Sequence, residues 1–194
     1  TGQTPDSPPL VAWNQFLKFL EKDVAGSNDN MGWLSLPYFL IYSAQMYYHD
    51  THRYAEEREV LKLMNEFLGK READWQFKMV DNLLLDGKPE SARQYLETLS
   101  TQFPTSQENW LAQGLLARTE DNMSAVTESY RKAGAINTDD YRPNLELAVT
   151  YSKAGDTEKF HQEMDVAYHK VKNLREWLKV NDTKHSLRPT GDEQ

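Results

Sequence analysis

Few residues in this sequence have the types and spacing that chemistry needs. His49-Asp50-Thr51-His52 puts two imidazoles and a carboxylate within four positions, a donor set that zinc or another divalent ion accepts. No third strong ligand stands nearby, and Asp and Thr are what a turn between two helices asks for, so the cluster reads as a solvated turn and no metal is expected. His161 stands one helical turn from Glu158 and from Asp165, as an acid–base pair would, but such pairs also cover the wet face of any charged helix. There is no Gly-rich phosphate loop, no strand–turn–helix nucleophile and no H-E-x-x-H pair. Cysteine is absent, which removes disulfides, thiolate catalysis, and Cys-ligated zinc and iron–sulfur sites. The pattern asks for no catalysis and no cofactor.

The elements that would position any site must come from 194 residues, enough for one domain with short appendages. The chain carries 22 Lys and Arg against 30 Asp and Glu, a net charge of −8. Nucleic-acid binding is driven by neutralising phosphates, so an acidic chain argues against that partner. The most apolar stretch, Met31 to Tyr48, is broken by Gly32, Ser35, Pro37, Ser43 and Gln45, and is too interrupted to span a bilayer. A start at Thr1 reads as a processed product or as part of something longer. The compartment stays open between cytoplasm and periplasm, with a lean to the soluble part of an anchored protein.

Residues 1–9, polar and proline-containing, read as a tether. Leu10, Trp13, Phe16, Leu17 and Leu20 follow the i, i+3, i+4, i+7 spacing of an amphipathic helix, Leu10–Val24. A second helix is expected over Leu36–His49, with Ser35 as N-cap and Pro37 in its first turn. A third, Arg53–Leu68, faces inward with Val60, Leu61, Met64, Phe67 and Leu68. No stretch alternates apolar and polar residues with period two, so the fold class is all-α.

Shifting the sequence by 34 residues brings it onto itself in pattern. Trp110 falls on Asn144, Gly114 on Ala148, Tyr130 on Met164 and Ala133 on Ala167; one unit earlier, Val80, Ala92, Leu96, Leu99 and Pro104 share the register. The turns align as Gly87-Lys88, Asp121-Asn122 and Gly155-Asp156. This pattern resembles the tetratricopeptide-repeat family, over Ala73–Ser106, Gln107–Asp140 and Tyr141–Leu174. The resemblance departs from the family at Val80 (a small position), Thr138 (usually Pro) and Phe160 (usually Ala). It implies an α-solenoid of antiparallel helical hairpins wound into a right-handed superhelix, with Trp110, Tyr130 and Tyr151 as core. Leu36–His49 and Arg53–Leu68 form a degenerate hairpin, giving an N-terminal section over residues 10–72 and a repeat section over 73–180. Phe160, Met164, Ala167, Val171, Leu174 and Leu178 continue one stripe, so a single capping helix is expected over Thr157–Lys179, with Trp13, Trp33 and Trp177 covering the ends of the stack. Residues 181–194 are expected to be disordered.

In this family the first helix of each hairpin lines a concave groove. The groove positions here are Phe77, Asp81 and Leu84 in the first unit, Leu111, Leu115 and Arg118 in the second, and Leu145, Val149 and Lys153 in the third. Family members that clamp acidic C-terminal tails carry Lys and Asn at such places, whereas Asp81, Leu115 and Val149 stand here where that Asn would be. What remains is an apolar floor, with Arg118, Arg142 and Lys153 toward one end and Asp74, Asp81 and Glu108 toward the other. Such a groove suits an amphipathic or semi-extended segment of a partner protein, unless the chain's own N-terminal helix fills it. The expected function is a protein–protein scaffold or adaptor within a larger assembly. A secretion-type chaperone and a non-catalytic accessory domain of an enzyme are the alternatives.

Overall fold

The computed structural model describes residues 31–67 and 73–187, with side chains over 41–65 and 73–187. The described residues form helices α1 (Met31–Asp50), α2 (Tyr54–Phe67), α3 (Ala73–Leu85), α4 (Pro89–Gln102), α5 (Gln107–Thr119), α6 (Met123–Ile136), α7 (Arg142–Lys153), α8 (Thr157–Lys170) and α9 (Leu174–Ser186). No strand occurs among them. The tether and the Leu10–Val24 helix expected from the sequence lie outside the described residues, as do residues 188–194. No helix among the described residues is long and apolar enough to cross a membrane.

The turns reproduce the 34-residue register in their backbone. Gly87, Asp121 and Gly155 all have positive φ, at 68°, 55° and 74°. Each is followed by the same helix-ending bond, from Lys88 N–H to Leu83 C=O (2.8 Å), Asn122 N–H to Ala117 C=O (3.0 Å) and Asp156 N–H to Tyr151 C=O (3.0 Å). A left-handed residue at this point lets the chain reverse while the last carbonyls of the helix keep a donor. Asn122 and Asp156 then cap the next helix, accepting from Ala125 N–H and Lys159 N–H. The α1–α2 turn is built in the same way around His52 (φ 57°), with Arg53 N–H on Tyr48 C=O at 2.8 Å. It comes 35 residues before its counterpart at Gly87 rather than 34, which hid it from a strict repeat search.

Helices pair as the hairpins α1/α2, α3/α4, α5/α6 and α7/α8, and each hairpin packs on the next. Close crossing within a hairpin rests on volume matching. Gly114 of α5 lies against the Tyr130 ring of α6, which is 0% exposed. At the equivalent positions the first hairpin has Val80 and Leu96, and the third has Ala148 and Met164, all buried. A larger residue on one helix is met by a smaller one on the other, the condition for filling an interior at crystal-like density.

Three expectations need correction. First, α1 starts at Met31, so Ser35 is not its cap and Pro37 sits in the second turn, where one backbone bond is lost. Second, the cap is two helices, not one. The chain becomes extended at Val171 (ψ 135°), and Asn173 starts α9 by accepting from Glu176 N–H at 3.0 Å. Glu176 reaches back to the Lys172 N–H at 2.7 Å and the Asn173 side-chain amide at 2.9 Å. The continuous apolar stripe concealed this stop. Third, residues 181–186 are not disordered but complete α9, which is anchored through the buried Val180; Trp177 stays 42% exposed rather than covering the stack.

Candidate functional site

The first helices of the hairpins bring equivalent positions into rows. Leu111 and Leu145 are 1% and 2% exposed, in one buried cluster with Tyr130 and Met164, and Phe77 packs partly against it. This row is roofed by charge. Arg142 lies over the Phe77 ring at 5.8 Å and reaches Asp74 (3.4 Å), Glu108 (3.3 Å) and Asp140 (2.7 Å). Asp74, Glu108 and Arg142 are the same position in three successive repeats, so one guanidinium ties the stack together along its concave side. Arg118 pairs likewise with Glu146 of the following repeat. Of the charges expected at opposite ends of the groove, Arg142 is therefore bonded to Asp74 and Glu108, and these groups cover part of the apolar floor.

A cleft of about 530 Å³ opens on this side. Its walls are α1 (Tyr42, Gln45, Met46, His49), α3 (Asp74, Phe77, Lys78, Asp81), the α6–α7 turn with the start of α7, and the linker and first turns of α9 (Lys172, Arg175, Glu176, Lys179). The last wall comes from the far end of the chain. Arg175 donates to the Tyr42 hydroxyl at 3.1 Å, lies 5.8 Å from the centre of that ring and touches Met46 Sδ, so α9 closes the curve of the solenoid onto α1. Of the nine groove residues read from the sequence, Phe77 and Asp81 line the cleft. Leu111, Leu115 and Leu145 are buried, Leu84 and Val149 half-buried, Arg118 engaged with Glu146, and Lys153 exposed at the end of α7.

The floor holds a buried polar network. Glu57, 1% exposed, accepts from Gln45 (2.6 Å), Asn82 (2.7 Å) and the His49 ring (3.1 Å). Asn82 also donates to the Tyr54 carbonyl at 3.0 Å and accepts from Arg58 at 2.9 Å. Burial alone would raise the Glu57 carboxyl, but its bonds to His49, Gln45 and Asn82 together hold it below the usual glutamate range. The bond to Glu57 raises His49 against the opposing effect of burial. Asp81, part of whose surface stays open to the cleft, has no such donors. Burial pushes its carboxyl up, against the pull of His49 and Lys179.

The His49-to-His52 turn does not assemble a metal site. His49 turns inward to Glu57 and His52 turns to the Tyr54 hydroxyl at 2.9 Å. Among the described residues no group of three or more His, Asp or Glu is placed to hold a metal ion. The His49–Glu57 pair resembles an oriented base, yet no Ser or Thr is among the residues that line the cleft. The sequence reading missed the α9 cations and the α1 wall. The Asn173-x-x-Glu176 spacing, a capping-box signature, was the available signal for the former.

The hairpins, their left-handed turns and their stacking give the chain the fold of a tetratricopeptide-repeat solenoid. No family model and no curated protein sequence matches the chain. Among solved structures it is similar to TTC0263, a thermophilic TPR protein in Thermus thermophilus, with a TM-score of 0.57 at 11% identity over 74% of this chain and 79% of that one. Two structures of MamA align with TM-scores of 0.45 and 0.46 at 15% identity, over 77% and 73% of this chain and 83% of each of theirs. These are likenesses of fold.

Proposed function

We propose that the protein is an interaction module whose concave cleft receives a segment of a partner protein. The observation that supports this is the cleft itself. At about 530 Å³ it is in the size range of ligand sites, and it combines rings (Tyr42, Phe77, Tyr141) with charged groups that have no ion-pair partner among the described residues. The likeness in fold to a tetratricopeptide-repeat protein supports a scaffold or adaptor role. The test is site-specific photocrosslinking in lysate, with a benzophenone side chain in place of Phe77, inside the cleft, or of Glu97, exposed on α4. A discrete partner captured from position 77 and not from position 97 supports the reading. Equal capture from both, or none from position 77, contradicts it.

A further inference from the structure

Most charges around the cleft are matched. Arg142 holds Asp74, Glu108 and Asp140; His49, Gln45 and Asn82 satisfy Glu57; Glu176 folds back onto the start of α9. Lys78 sits 3.9 Å from Asp74 and over the rings of Tyr42 and Trp75. Two sets remain. On the α9 side, Lys172, Arg175 and Lys179 have no carboxylate within ion-pair distance among the described residues; on the α3 and α6–α7 side, Asp81 and Asp139 have no cation within that distance among them. The two sets sense each other, since Lys179 draws the Asp81 carboxyl down, but the fold keeps them apart across the opening.

We propose that the cleft selects an extended segment with opposite charges on its two faces, acidic side chains toward Lys172, Arg175 and Lys179 and basic ones toward Asp81 and Asp139. The proposal rests on the partner-docking reading above and names the kind of segment that docks. In an extended chain successive side chains point to opposite faces, so acidic and basic residues at alternating positions present one sign to each wall. A uniformly acidic segment would meet Asp81 and Asp139, and a uniformly basic one would meet the α9 cations. A chain of net charge −8 also has no general attraction for acidic peptides, so the match must be local.

The test uses the full chain and three labelled eight-residue peptides, followed by fluorescence anisotropy at low salt and by amide chemical shifts. One peptide alternates Glu and Lys, one repeats Glu-Glu-Lys-Lys, and one is all Glu. The first two share composition and net charge, and differ only in whether each face carries one sign. The alternating peptide should bind at least tenfold tighter than the other two, shifting amides of α9 and the α6–α7 turn. Lys179→Glu and Asp139→Lys, both at exposed side chains, should each weaken it with the circular dichroism spectrum unchanged. Equal affinity for the two mixed peptides, tighter binding of the all-Glu peptide, or no binding up to about 1 mM overturns the proposal. If position 77 captures a partner while the peptides fail, only the charge pattern is wrong; if position 77 captures nothing, the docking reading itself fails.

Discussion

Replacing Gly114 by leucine tests the packing on which the solenoid depends. A Cβ at Gly114 would lie 2.7 Å from Cζ and 2.8 Å from Cδ1 of Tyr130. Carbon atoms rest at about 3.5–4.0 Å, so the ring or the helix must retreat by about 1 Å before the rest of the leucine is placed. The ring cannot move outward, because it is 0% exposed and fixed among Val126, Leu145 and Met164. Overpacking of this kind costs about 1–3 kcal/mol, and the bulk of leucine puts it at the upper end. Removing a helical glycine returns up to about 1 kcal/mol, which leaves a net loss of about 2 kcal/mol. For a domain of this size that lowers the melting temperature by about 4–8 °C, measured by circular dichroism. Tyr130→Ala alone should cost about 3–5 kcal/mol, and the double variant should lose less than the two separate costs combined, by about 1–3 kcal/mol. A Gly114→Leu protein that melts at or above the wild-type temperature, or strict additivity in the cycle, would refute the helix crossing described here.

Asp81→Asn should stabilise the protein near pH 7 by about 0.5–2 kcal/mol in urea unfolding, because burial raises the Asp81 carboxyl and its ionised form is the costly one. The gain should shrink as pH falls and Asp81 itself becomes neutral; a gain independent of pH would rule out this cause. The raised His49 contributes stability in full below its ordinary value of 6.5 and loses it as pH rises through the raised one. The lowered Glu57 contributes in full above its ordinary 4.5 and loses it as pH falls. His49→Ala should therefore cost about 1.5 kcal/mol near pH 5.5 and less near pH 8, as read from unfolding midpoints at the two pH values. Arg142→Met leaves Asp74, Glu108 and Asp140 without their shared cation and should cost about 1–3 kcal/mol, reduced by added salt; a loss unaffected by salt would assign it to packing over Phe77 instead.

The repeat was legible because its determinants are local and recur. The left-handed turn, the small residue and its large partner come back at a fixed spacing, and Gly87, Asp121 and Gly155 mark them in the sequence. The α8–α9 break was legible in principle through Asn173 and Glu176, but apolar periodicity continues across it, and a stripe of side chains does not report where the backbone turns. The sequence predicts an apolar floor with charged ends because residue spacing places Arg142, Asp74 and Glu108 in register without showing that they meet over Phe77. That Arg142 reaches residues 34 and 68 positions earlier depends on how tightly the superhelix curves, and sequence spacing alone does not carry that curvature. The same curvature brings Arg175 to Tyr42 across 133 residues and creates the α9 wall.

Hydrogen exchange on the protein bound to the partner captured from position 77 tests the cleft most directly. Added partner should slow exchange in segments 41–50, 74–81 and 172–179, which form three of its walls, and leave α4 and α6 unchanged. Protection confined to α4 and α6, with the three wall segments exchanging as in the free protein, would place the partner on the opposite face and contradict the account.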